Sequence, residues 1–132
     1  MGRQDLARLH RRVGRADLAA VAEVRGAVRK LLRYRWEEEP AQVAELLLSE
    51  LVTNALVHTG DGAVVAVSVE PQKLRVEVRD FVPGMPLSHV PNADDGTHGR
   101  GLVLVESLAD SWGISAHALG KVVWFELDGE RP

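Results

Sequence analysis

The chain contains no cysteine. Disulfides, cysteine-ligated zinc and thiol catalysis are therefore excluded. It also lacks any run of about 18 consecutive apolar residues, the minimum for a membrane-spanning helix. The opening residues, Met1-Gly-Arg-Gln-Asp5, have no apolar segment of the secretory kind. Leu6 stands where a myristoylation pattern needs Ser or Thr. These absences predict a soluble cytoplasmic protein with no membrane association. The 132 residues, 45% of them hydrophobic, fit one domain over residues 1–132 that buries roughly two-thirds of its unfolded surface.

Charge of one sign is scarce in each part of the chain. Residues 1–35 hold ten of the sixteen Lys and Arg against Asp5, Asp17 and Glu23, a balance of +7. The remainder holds six bases and sixteen acids, a balance of −10. A basic arm can mark nucleic acid. Here the acidic remainder would repel phosphates, and no nucleic-acid motif accompanies the arm, so no direct nucleic-acid contact is expected. The basic segment, residues 1–15 above all, is either a solvated face or a docking or dimer surface for protein.

The hydrophobic pattern divides the chain into elements. Residues 6–13 alternate loosely and predict a short strand. Asp17 is placed to cap a helix in which Val21, Val24, Val28, Leu31 and Leu32 recur at three- and four-residue spacing up to about Tyr34. Glu37-Glu-Glu-Pro40 starts a second helix, because acids favour the N-terminal dipole and proline is tolerated in the first turn. That helix is expected from about Ala41 to Val57, with Thr59-Gly60-Asp61-Gly62 ending it. The period then changes to two. Residues 63–69 and 74–80 predict an antiparallel hairpin, with Leu74, Val76 and Val78 on one face and Arg75, Glu77 and Arg79 on the other. Residues 82–98 carry three prolines and no period, and so long a loop is usually functional. A third helix over 101–108 and a second hairpin over 112–118 and 121–127 complete the order. The expected fold class is α+β: a two-layer sandwich, with a mixed, mostly antiparallel sheet covered on one face by three helices.

Three groups of residues do not fit a purely structural pattern. Glu50-Leu-Val-Thr-Asn54 lies in the middle of the second helix, where Thr and Asn are poor helix formers. Ala44, Leu48, Leu51, Val52 and Ala55 form the apolar stripe, and Glu50 and Asn54 share another face one turn apart. The pair is either an ordinary solvated face or a hard-cation ligand beside a general base, since Mg²⁺ takes oxygen donors and keeps several waters. Asp80 ends its strand on the parity of Leu74, Val76 and Val78. It either turns to solvent or points into the apolar layer, where it needs a donor such as an adenine amino group. Gly84, four residues on, permits a sharp turn and close ligand approach. Gly96-Thr-His-Gly99-Arg-Gly101-Leu precedes the third helix, where glycines and a helix N-terminus suit phosphate and Arg100 can add a charge-assisted contact. This is not a P-loop, which ends Gly-Lys-Ser/Thr. It is not a dinucleotide fingerprint either, because Leu104 takes the third glycine position. The five histidines show no metal-ligand spacing, and Ser49, His58 and Asp61 form no credible triad. Trp36, Trp112 and Trp124 read as packing anchors.

In this order the three groups resemble the boxes of the Bergerat-fold ATP-binding domain, the superfamily of gyrase, heat-shock chaperone, histidine-kinase and mismatch-repair ATPases. Glu50-Leu-Val-Thr-Asn54-Ala is similar to its N-box, Asp80-Phe-Val-Pro-Gly84 to its first glycine box and Gly99-Arg-Gly101-Leu-Val-Leu-Val to its second. The resemblance covers residues 6–128. It is closer still to the bacterial anti-sigma-factor serine kinases and their actinobacterial relatives, through Ser49-Glu-Leu-Val-Thr-Asn-Ala-Leu-Val-His58, the run from Gly99 to Gly113 and the final Gly120-Lys-Val-Val-Trp-Phe-Glu-Leu127. The resemblance implies ATP and Mg²⁺ as cofactors. It implies Glu50 as catalytic base, Asn54 as Mg²⁺ ligand and Asp80, beside Gly84, as acceptor for the adenine amino group. It implies Thr97, Gly99, Arg100, Gly101 and Leu102 around the phosphates, with 85–98 as a lid. It further implies a regulatory serine/threonine kinase acting on a small antagonist protein. The alternative is a non-catalytic ATP-binding module that sequesters a sigma factor or another regulator. Either can work as a homodimer.

Overall fold

The computed structural model describes residues 7–14, 18–33, 35–59, 62–80, 103–117 and 120–128, with the backbone alone at Leu18, Val57, His58, Thr59 and His117. The elements run β1 (Ala7–Val13), α1 (Leu18–Leu32), α2 (Glu38–Thr59), β2 (Ala63–Glu70), β3 (Lys73–Asp80), α3 (103–108), β4 (Ser111–His117) and β5 (Gly120–Asp128). The five strands form one sheet in the order β1-β2-β3-β5-β4, with the three helices as its cover. The α+β class and the two-layer arrangement are as expected.

The expectation of a mixed sheet is corrected: all four described pairings are antiparallel. The connectivity explains why. Between β1 and β2 the chain passes through two helices, so three reversals separate the strands, an odd number, and β2 returns antiparallel to β1. Between β3 and β4 it passes through α3, and these two strands do run in the same direction, since each is antiparallel to β5. However, β5 lies between them, so the parallel relation never becomes a pairing.

Side-chain parity decides which sheet face is covered. Val65, Val67 and Val69 of β2, Leu74, Val76 and Val78 of β3, and Phe125 and Leu127 of β5 are buried against the helices. Val21, Val24, Val28 and Leu32 of α1 and Ala44, Leu47, Leu48, Leu51, Val52, Ala55 and Leu56 of α2 face them. Each such Val or Leu contributes roughly 1.5–3 kcal/mol by leaving water. Pro40 falls within the first turn of α2, where its missing N–H has no partner to lose, so the helix begins ahead of the expected Ala41. The α1–α2 turn is tied to the β2–β3 hairpin by the Trp36 indole N–H, which donates to the Glu70 carbonyl at 2.9 Å. Gly62, with φ +96°, enters β2 where a Cβ would stand 2.5 Å from the Val13 carbonyl oxygen.

The hairpin of α1 and α2 is clamped on its outer side. Arg29 donates twice to Glu45, at 2.9 and 2.6 Å, and Arg25 once at 3.3 Å. The Arg29 hydrogen bond holds the Glu45 carboxyl below the usual range, against the opposing effect of burial. A carboxylate depressed in the folded state stabilises above its unfolded pKa, and that stability is lost as pH falls through the folded value. Wild type should therefore exceed Glu45→Gln by up to about 1 kcal/mol at neutral pH. The difference should shrink as urea midpoints are followed into acid.

The opposite sheet face is polar but holds one packed cluster. Arg75 lies over the Trp124 ring at 4.3 Å to its centroid and pairs with Glu77 and Glu126. Trp124 lies flat over Gly113, its register partner on β4. A Cβ on Gly113 would meet Trp124 Nε1 at 2.8 Å and Cε2 and Cζ2 at 2.9 Å. Gly113→Ala should cost about 1–3 kcal/mol by overpacking and shift Trp124 fluorescence. Wild-type emission with an unchanged melting temperature would contradict this packing.

Candidate functional site

The end of β3 is where sequence and structure meet most sharply. Asp80 shares the core-facing parity of Leu74, Val76 and Val78, and it is 3% exposed, the one buried charged residue among those described. Of the two positions open to it, the inward one is observed. Its neighbour on β2 is Ala63, the first residue of that strand. Because β2 follows α2 directly, Asp80 sits at the same end of the domain as the C-terminal turns of α2.

Asn54 lies about one and a half turns before the end of α2, and Glu50 one turn further back. Both are half-buried on the margin of the apolar stripe, since Leu47, Leu51, Val52 and Ala55 around them are buried. A carboxylate and a carboxamide one turn apart, partly shielded and still reachable, suit an oxygen-seeking cation with waters of its own. The donor chemistry therefore fits Mg²⁺ held through one protein oxygen and its ligands. No cluster of three or more His, Asp or Glu that could cage a metal occurs among the described residues. Ser49 Oγ, just before Glu50, is buried without a hydrogen-bond partner among the described residues.

Asp80 has a partner that the sequence reading did not foresee. Lys121, the second residue of β5, donates from Nζ to Asp80 Oδ2 at 2.5 Å and from its backbone N–H to Oδ1 at 3.3 Å. The two side chains are 15% and 4% exposed. A signal for Lys121 was present: it shares the parity of Val123, Phe125 and Leu127, so it is a cation at a core-facing position. Gly84, Thr97, Gly99, Arg100, Gly101 and Leu102, with the segment 85–98, lie outside the described residues, as do Asp17 and the first six residues. Of α3, residues 103–108 are described, with Val105 fully buried in the core. A separate cleft of about 330 Å³ lies between α1 and the start of α2, lined by Arg29, Leu32, Trp36, Ala41 and Glu45 among others. It holds none of the predicted site residues and stands at the opposite, Glu70 end of the domain. No described helix is long and apolar enough to cross a membrane.

The sequence profile of the histidine kinase-like ATPase domain family matches residues 14–127. Among solved structures, the chain is similar to the histidine kinase domain of a blue-light activated histidine kinase from Erythrobacter litoralis EL346, at 24% identity and a TM-score of 0.55. That likeness covers 83% of this chain and 59% of the other, and it is a likeness of fold. No curated protein matches the chain.

Proposed function

Because the chain belongs to the histidine kinase-like ATPase domain family, we propose that it is a cytoplasmic ATP-binding regulatory protein that transfers the γ-phosphoryl group to a serine or threonine of a small antagonist protein. The observation that carries the reading is the buried carboxylate of Asp80, paired in register with the first residue of the strand that follows α2, the helix whose second half bears the half-buried Glu50 and Asn54. A carboxylate at the margin of an apolar layer suits the amino group of a flat, mostly apolar base. Asn54 offers its side-chain oxygen to Mg²⁺, which neutralises charge developing on the phosphoryl oxygens when bound. Glu50 takes the proton of the attacking hydroxyl as the new O–P bond forms and the bond to the β-phosphate oxygen breaks, with ADP as leaving group. Gly99, Arg100 and Gly101, with Thr97 and Leu102, are proposed for the phosphates, and Gly84 for the turn beside the base.

Incubation with labelled ATP, Mg²⁺ and candidate antagonist proteins tests the transfer. Label should appear on one antagonist, and Glu50→Ala should reduce transfer by about 10²–10⁴-fold while retaining Mg-ADP. Asn54→Ala should weaken Mg-ADP binding, and unchanged affinity would remove it from the metal's ligands. Absence of calorimetric heat at millimolar Mg-ADP would overturn the nucleotide site itself.

A second reading, a module that sequesters a sigma factor or another regulator without phosphoryl transfer, is favoured by β1. This is an edge strand, and Arg8, His10, Arg11 and Arg12 along it are exposed. Such a basic edge suits an acidic protein surface or, in a homodimer, a second copy's acidic part. Charge reversal at Arg11 and Arg12 should then abolish the complex, and a complex that survives it and Glu50→Ala alike would leave the basic edge with no docking role.

A further inference from the structure

We infer that Lys121 reads the base of the bound nucleotide and sets a preference for adenine over guanine, an inference that rests on the nucleotide-binding reading above. Asp80 alone explains why a base with an amino group is accepted. It does not explain a lysine whose ammonium is brought to the same buried spot on the core-facing side of β5. That position costs desolvation, and a shorter neutral donor would have satisfied the carboxylate more cheaply. What lysine adds is spare donors. An ammonium has three N–H groups. One goes to Asp80 Oδ2, and Lys121 makes no other side-chain hydrogen bond with the described residues. Its side chain is 15% exposed, more than the 4% of Asp80.

The pair therefore presents an acceptor and a donor on adjacent atoms. Adenine carries the complement, an amino N–H at position 6 beside the bare ring nitrogen N1. With the amino group on Asp80, N1 falls to the Lys121 ammonium. Guanine in the same pose would set its 6-carbonyl oxygen against the carboxylate and its N1–H against the ammonium, so both contacts turn repulsive. Discrimination of this kind, with buried polar groups left unpaired by the wrong ligand, is steep.

The test uses wild-type protein and nucleotide analogues, so it does not depend on a variant folding. Calorimetry compares Mg-ADP, Mg-GDP and the Mg complex of 1-deaza-ADP, in which carbon replaces N1 and the amino group remains. Loss of one hydrogen bond to a charged donor predicts about ten- to hundredfold weaker binding of 1-deaza-ADP, with Mg-GDP weaker still. In Lys121→Met, ADP and its 1-deaza analogue should bind alike. Equal affinity of the two in wild type, or GDP as tight as ADP, overturns the role of Lys121 while leaving the nucleotide site standing. Absence of binding by every one of these nucleotides overturns the nucleotide-binding reading, and the role of Lys121 with it.

Discussion

Lys121→Met is expected to destabilise the domain by about 3–5 kcal/mol. The variant keeps the length and apolar stem of the side chain and removes the ammonium. Asp80 then remains 4% exposed with a charge that has lost the Lys121 ammonium. The backbone N–H of Lys121 still donates to Oδ1 at 3.3 Å, but a long neutral hydrogen bond does not replace the short charge-assisted one from the ammonium. Asp80→Asn in the same background should recover most of the loss, because it takes away the charge that the ammonium had offset. Urea denaturation of the two single variants and the double one closes the cycle and isolates the pairwise coupling. A loss below about 1 kcal/mol for Lys121→Met would mean that the pair behaves like a screened surface ion pair, contrary to its burial. The stability measurement stands apart from the nucleotide experiment: a purely structural pair changes stability without any dependence on N1 of the base.

How much of this was legible beforehand differs between elements, for physical reasons. The central hairpin of β2 and β3 was legible, because alternation at period two is hard to read otherwise when most of the inward residues are Val or Leu. The same parity put Asp80 inward. The pairing partner was harder. Lys121 stands forty-one residues from Asp80 in sequence, and only the insertion of β5 between β3 and β4 brings the two side chains together. Alternation alone says that both face inward, without saying that their strands are neighbours. The same insertion explains why the sheet is antiparallel throughout. The apolar stripe of α2 was legible at Ala44, Leu48, Leu51, Val52 and Ala55, but Leu47 and Leu56 widen it, because α2 is covered by α1 on one flank and the sheet on the other. Thr53 and Asn54 were found as misfits to helix propensity, with Glu50 one turn before Asn54 on the same face, and the structure places Glu50 and Asn54 half-buried on the margin of that widened face. The glycine-rich turn around Gly99 was legible only as composition, since glycines specify where a backbone is allowed to go and carry no side chain whose burial could be checked.

Phe125→Ala is expected to cost about 3–5 kcal/mol, a large part of the roughly 5–15 kcal/mol that holds a domain together. Phe125 is fully buried on β5, between Val76 of β3 and Trp112 of β4 in the register of the sheet. It is the largest of the fully buried side chains, in a layer otherwise built from Val and Leu. The β-branched neighbours are stiff at χ1, and the strands on both sides are hydrogen-bonded in place. The cavity left by the ring therefore cannot close by rotamer changes alone, and the cavity cost adds to the lost transfer energy. The melting temperature should fall by roughly 10 °C or more. Leu108→Ala supplies the contrast: Leu108 is 42% exposed on α3, and its truncation should stay within about 0.5 kcal/mol. Phe125 and Lys121 also share one face of β5, four residues apart, so a strand that sinks into the Phe125 cavity draws the ammonium away from Asp80. Melting curves with and without Mg-ADP separate the two effects. If packing alone is lost, nucleotide raises both melting temperatures by the same increment. If the strand moves, the increment in Phe125→Ala shrinks, because the base then meets an acceptor and a donor that are no longer side by side.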